Sequence, residues 1–166
     1  MKDILQEALD KFNQSINKKN IILDMGLCGV FALNMYNHLK ILGYSPRILG
    51  IYYTTDEIKV DNKYNIPTHY VVQVNKTIID FDDIYTTLKE YRTSRKYRLH
   101  RYTILKVPLK ELKRQIDTGR GATNSWNPDM FTKQNIKTVD IVFKKVFTND
   151  VTVNNIRLHT SVNSMI

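Results

Sequence analysis

The sequence predicts one α+β domain in which a central hydrophobic helix packs on an antiparallel β-sheet. Three observations carry that prediction. Helical and strand-like periodicities both occur within the 166 residues. Two of the strand-like runs are separated by only two residues, so they must pair antiparallel. The composition, 42% hydrophobic and 25% charged, is that of a chain able to bury a core without disulfide staples. No internal repeat or low-complexity linker divides it. Residues 1–150 therefore read as one domain with its core at about 20–107, and 151–166 as a polar tail.

From Asp3 to Ile16 the apolar residues Ile4, Leu5, Ala8, Leu9, Phe12 and Ile16 fall on one helical face. Asn17 to Asn20 ends that helix. Leu27 to Leu42 is apolar on most sides, the mark of a central helix, and stops at Gly43, with Pro46 beyond it. Arg47 to Tyr53 (RILGIYY) reads as a buried strand. Residues 54–67 form a polar connection. His69–Val74 and Thr77–Phe81 read as a hairpin closed by Asn75-Lys76, and Asp82–Lys96 as a helix. Tyr102–Val107 follows as a strand, and Pro108 opens a helix running to about Ile116. Thr118–Pro128 is a loop, and the alternation in Thr138–Phe147 predicts a last strand.

The charge is unevenly spread. The chain carries 25 Lys and Arg against 16 acids, a net of +9. Between Lys89 and Arg120 stand eleven basic residues and three acids, so this stretch alone carries +8. It reads either as a solvated basic face or as a site for an acidic partner: nucleic acid, an acidic protein, or anionic lipid. Arg92, Arg95, Lys96, Arg98 and Arg101 are its candidate contacts. Tyr91, Tyr97 and Tyr102 interleave with them, as stacking rings do in single-strand binders, although half-buried tyrosines give the same pattern. No apolar run approaches the roughly 20 residues of a membrane span, and the acidic, amphipathic opening is unlike a signal peptide. A single cysteine permits no internal disulfide, which points to a reducing cytoplasm.

That cysteine, Cys28, lies in GLCGVFAL at the start of the most hydrophobic helix. A thiolate is the nucleophilic form, and the positive end of a helix favours it. Gly26 and Gly29 leave room for a substrate backbone. The same residue also fits as an inert core side chain. A nucleophile needs a base and a group to orient it. His69 opens one hairpin strand and Asp80 closes the next. With a two-residue turn at Asn75-Lys76, Asp82 falls opposite His69 and Asp80 one step diagonal, all three on one sheet face. A bulged turn would reverse that preference, so both acids stay open as the third member. Asp24, just before the helix, is a natural N-cap, with a charge that opposes thiolate formation.

A glycine-flanked Cys opening a helix, a His opening a strand and an Asp closing the next strand resemble the papain-like and transglutaminase-like superfamily. GLCGVFALNMYNHLKILGYSPRI is similar to its nucleophile helix and following strand. HYVVQVNKTIIDF is similar to its His–Asp hairpin, as also found in arylamine N-acetyltransferases and in small phage or bacterial proteins of that type. The resemblance spans about residues 20–85. It implies Cys28 as nucleophile, His69 as general base and acid, and Asp80 as orienting carboxylate. The Gln that papain-like proteases place six residues before the cysteine is here Ile22, with Asn20 the nearest upstream amide, and Val30 and Phe31 stand where a Trp commonly follows. The Cys28 backbone N–H is the expected first oxyanion donor.

His38 sits mid-helix as a surface or core residue, His100 in the basic stretch and His159 in the tail, so no metal-ligand spacing arises. Without a P-loop or GxGxxG, no nucleotide cofactor is implied. Trp126 reads as a loop anchor. Two functional readings follow. One is a thiol-dependent hydrolase or acyltransferase acting on a protein or peptide through a thioester, viral or bacteriophage in character by composition, and then in the host cytoplasm. The other is a non-catalytic member of the fold that grips nucleic acid or an acidic host protein through residues 89–120.

Overall fold

The computed structural model describes residues 2–53, 67–94, 102–118 and 127–148. Helix α1 (Lys2–Asn17) is followed by α2 (Cys28–Ile41) and strand β1 (Arg47–Tyr53). Next come β2 (His69–Val74), β3 (Thr77–Ile79), β4 (Ile84–Tyr85), α3 (Leu88–Ser94) and β5 (Tyr102–Lys106). Helices α4 (Leu109–Asp117) and α5 (Lys133–Phe147) close the described chain. The strands form one antiparallel sheet in the order β4-β3-β2-β1-β5.

Both faces of the sheet are covered, which explains why RILGIYY reads as an almost continuous apolar run. Ile48 and Tyr52 of β1 join Tyr70, Val72 and Val74 of β2 in the main core beneath α1, α2, α4 and α5. Leu49 and Ile51 point the other way, into a smaller cluster with Val71, Ile78, Tyr85 and the α3 residue Tyr91. Gly50 is required where it stands, since a β-carbon there would meet Val107 Cγ2 at 2.8 Å and the Tyr52 ring at 2.9 Å. Helix α2 ends as its sequence predicts: Gly43 takes φ +87°, and its N–H closes on Lys40 O.

Four expected elements differ. Thr138–Phe147 is part of α5, not a strand. Val139, Val142, Phe143, Val146 and Phe147 are buried at three- and four-residue spacing, and Thr132 caps the helix by accepting the Asn135 N–H at 3.1 Å. The segment 82–96 is not one helix: Ile84 pairs with Ile79 in β4 before α3 begins at Leu88. Strand β3 stops at Ile79 rather than Phe81, because the Asp80 N–H turns to the Asp83 carbonyl at 3.0 Å. Pro108 stands at the N-cap of α4, one position earlier than expected. The loop at 54–66, most of 118–128 with Trp126, His100, the 151–166 tail with His159, and Arg95, Lys96, Arg98 and Arg101 of the basic stretch lie outside the described residues.

Among the described residues no helix is long and apolar enough to cross a membrane, and no three His, Cys, Asp or Glu side chains gather as metal ligands would.

Candidate active site

Three separate elements converge where the N-terminus of α2 meets the open end of the β2–β3 hairpin. Cys28 is the first residue of α2. A tight backbone turn precedes it, in which the Met25 N–H donates to Ile22 O at 3.3 Å and buried Gly26 takes φ +106°, a left-handed conformation suited to glycine. His69 is the first residue of β2, opposite Ile51 of β1. The neighbouring Thr68 pins that strand end, since its N–H and its Oγ1 both donate to Ile51 O, at 2.7 and 2.8 Å. Asp80 follows the last residue of β3.

The hairpin has the register of an unbulged two-residue turn, with Val74 opposite Thr77 and Val72 opposite Ile79. Asn75 takes φ +53° in the turn. Of the two acids left open by the sequence, Asp80 takes the imidazole: His69 Nε2 donates to its Oδ1 at 2.8 Å. The contact is the diagonal one, because Asp80 is turned inward and fully buried while Asp82 is exposed. The same Oδ1 accepts the Phe81 N–H at 2.7 Å, which fixes the carboxylate.

The imidazole is also coupled electrostatically to the Cys28 sulfur, which favours the charged ring. Nε2 is occupied by Asp80, so Nδ1 is the nitrogen available to the sulfur. Cys28, His69 and Asp80 are all buried, at 0%, 1% and 0% exposure. Burial opposes a charge on the ring. The Asp80 carboxylate and the Cys28 sulfur outweigh it and push the His69 pKa up from 6.5 to about 10. At neutral pH the ring is therefore an imidazolium between a carboxylate and a sulfur.

Two expectations about this site are corrected. Asp24 does not cap α2: the N-cap is Leu27, with no side-chain hydrogen bond. The Asp24 carboxylate lies instead 3.5 Å from His69 Nδ1, with 58% of its side chain exposed. The Cys28 N–H is also not an open oxyanion donor, since it donates to Leu23 O at 2.8 Å. Among the described residues, the Gly29 and Val30 N–H groups carry no backbone acceptor at this helix start. Asn20, the nearest upstream amide in sequence, is exposed, with φ +56°.

Two contacts were not foreseen. Phe81 sets its ring edge-on to His69, with centroids 5.4 Å apart, and its carbonyl accepts the Asn13 side-chain amide from α1 at 2.6 Å. Asp24 and Phe81 also line a groove of about 300 Å³ shared with Asn13, Asn17, Ile21 and Asp82. Neither Cys28 nor His69 lines this groove; Asp24 and Phe81, which lie against the imidazole, are its link to the site. His38 belongs to the core, its ring against Phe143 and Phe147 at 6.1 and 6.0 Å. Arg92 is exposed on α3.

The chain matches no protein-family model, no curated protein and no solved structure.

Proposed function

We propose that this chain is a thiol-dependent hydrolase or acyltransferase acting through Cys28, His69 and Asp80, on a core of the papain-like or transglutaminase-like kind. The observation that carries the reading is the fully buried His69–Asp80 hydrogen bond beside an equally buried Cys28 whose sulfur is coupled to the ring. An ordinary buried cysteine in an apolar core needs no such partner. A buried imidazolium is costly unless something uses or compensates its charge. The arrangement of a helix starting at the cysteine and packed on an antiparallel sheet that presents the histidine is consistent with that core.

In the proposed reaction the Cys28 thiolate attacks an acyl carbon and forms a C–S bond. His69 gives its proton to the leaving amine or alcohol as the bond to that group breaks. A thioester remains on Cys28. Water or an amine then attacks, passes a proton to His69, and the thioester C–S bond breaks to free the enzyme. Asp80 holds the ring in orientation throughout. With the Cys28 N–H engaged by Leu23 O, the oxyanion falls to the N–H groups of Gly29 and Val30. The groove bordered by Asp24 and Phe81 is the proposed route by which the acyl group or its acceptor reaches His69.

The test is carbamidomethylation of Cys28 by iodoacetamide across pH 6–9 in wild type, His69→Ala and Asp80→Asn, each with a folding control by circular dichroism. Reaction that persists toward pH 6 in wild type and is lost there in both variants supports the reading. A thiol whose reaction is indifferent to His69 overturns it and leaves the cysteine a core residue.

A further inference from the structure

Helices α1 and α5 pack side by side, and the seam between their outer faces widens into a groove of about 610 Å³. Its floor is aliphatic, made by Val142 and Val146 together with Ile141, which is 56% exposed. Its rim is cationic: Lys11, Lys18 and Lys19 stand on the α1 side and Lys145 on the α5 side, with Gln14 and Ser15 between. Among the described residues no acidic side chain lines it. Lys11 also reaches Glu7, one turn back on α1, at 3.0 Å. Neither Cys28 nor any described residue of the 89–120 stretch lines this groove, and nothing in the proposed reaction uses it.

We infer that the α1–α5 groove is a docking site for an acidic amphipathic helix of a partner protein. Two adjacent helices offer a third the same ridge-and-groove surface they offer each other. An apolar stripe at i, i+3, i+4 and i+7 would cover Ile141, Val142 and Val146, while flanking Asp and Glu would meet the four lysines. The combination is what selects the occupant. A nucleic acid strand would satisfy the lysines but leave exposed Ile141 unused, and among the described residues the lining holds no aromatic ring on which a base could stack. A second copy docking by the same face would set lysine against lysine. The chain's own residues 149–166 contain one acid, Asp150, and one arginine, Arg157, and so bring no surplus negative charge.

The probe is a fluorescein-labelled synthetic peptide of about 15 residues, long enough at ~1.5 Å per residue to run along α5. It carries Leu on one helical stripe and Glu on the flanks. Anisotropy is read with the full chain. A second peptide has the same composition with the leucines scattered, and an oligothymidine strand serves as the nucleic-acid competitor. Saturable binding of the striped peptide that weakens about tenfold or more in both Ile141→Glu and Lys18→Glu/Lys145→Glu is the expected result. Both variants change exposed side chains, and unaltered thermal melts confirm their folding. Ile141→Ser serves as the milder second variant should Ile141→Glu melt early. No preference for the striped peptide overturns the inference. So does an oligothymidine that displaces it and binds Ile141→Glu unchanged, and so does a dimer in sedimentation that Ile141→Glu dissociates.

Discussion

His69 Nε2 and Asp80 Oδ1 meet at 2.8 Å between two side chains that solvent does not reach. The pair sets the charge state of the whole site. In water an imidazole and a carboxylate would each be stable alone. Here burial penalises both charges, and each is tolerable only because the other is present. Replacing Asp80 by Asn keeps the shape and removes the negative charge, so burial acts on the ring with less opposition. The expected outcome is a His69 pKa that falls from about 10 to the ordinary imidazole range of about 6.5 or below. An NMR titration of the ring proton, assigned through His69→Gln, checks it. An unchanged titration in Asp80→Asn would mean that the carboxylate does not govern the ring.

The same shift ties stability to pH. The folded-state pKa of His69, about 10, stands above its unfolded value of 6.5. Its contribution to stability is therefore full below about pH 6.5 and is lost as the pH rises through about 10. Urea midpoints measured from pH 6 to pH 10 in wild type and His69→Gln isolate this contribution, because the two proteins share every other titrating group. The wild-type advantage should be largest at pH 6 and shrink steadily toward pH 10. Two curves that stay parallel over that interval would contradict a protonated His69 in the native state.

The core offers an independent check on how the helices are joined. Phe12 of α1 is fully buried and touches Phe31 of α2 and Phe143 and Phe147 of α5, with ring centroids at 5.3, 6.1 and 6.1 Å. One side chain thus fastens three helices. Phe12→Ala should cost about 3–5 kcal/mol of unfolding free energy, the range for emptying a large aromatic from a packed core. Thr132→Ala, which removes only the α5 cap, should cost about 1 kcal/mol. Denaturant unfolding of the two variants tests the ranking. Equal effects would argue that α5 is not docked on Phe12.

Much of this fold was legible because local and tertiary demands agree. β1 runs over Arg47–Tyr53 as its apolar run predicts, and Gly43 stops α2 because only a residue at ease with φ +87° can turn the chain there. The misreadings have physical causes. In TVDIVFKKVF the positions Val139, Val142, Phe143, Val146 and Phe147 satisfy a helix, yet Thr138, Asp140 and Lys144 create enough alternation to imitate a strand. The two residues of β4 are too few to show any period. At the site, the residue types and the two-residue turn brought His69 and Asp80 into one neighbourhood, but the choice between Asp80 and Asp82 depends on which carboxylate turns inward beyond Ile79. Asp24 was misassigned for a related reason. An acid just before a helix is ordinarily its cap, and only the tight turn that hands the Cys28 N–H to Leu23 frees the carboxylate to face His69.

That placement of Asp24 yields the most discriminating prediction, because two carboxylates border one imidazole from opposite sides. Asp80 holds Nε2 from the buried side, whereas Asp24 approaches Nδ1 from solvent at 3.5 Å. Nδ1 is also the nitrogen available to the Cys28 sulfur, so the Asp24 oxygen competes for the same proton and adds negative charge beside the position where the sulfur must carry its own. Asp24→Asn removes both effects. Its side chain is more than half exposed, so the change should cost under about 1 kcal/mol of stability. The expected result is faster alkylation of Cys28 at neutral pH in Asp24→Asn than in wild type, by about threefold to tenfold, and slower alkylation in Asp80→Asn. Raising the salt concentration should screen the solvent-facing Asp24 and narrow its difference from wild type, while leaving the buried Asp80 effect in place. If both substitutions slow the reaction alike, the carboxylates act together on the ring charge, and the competition for Nδ1 is wrong.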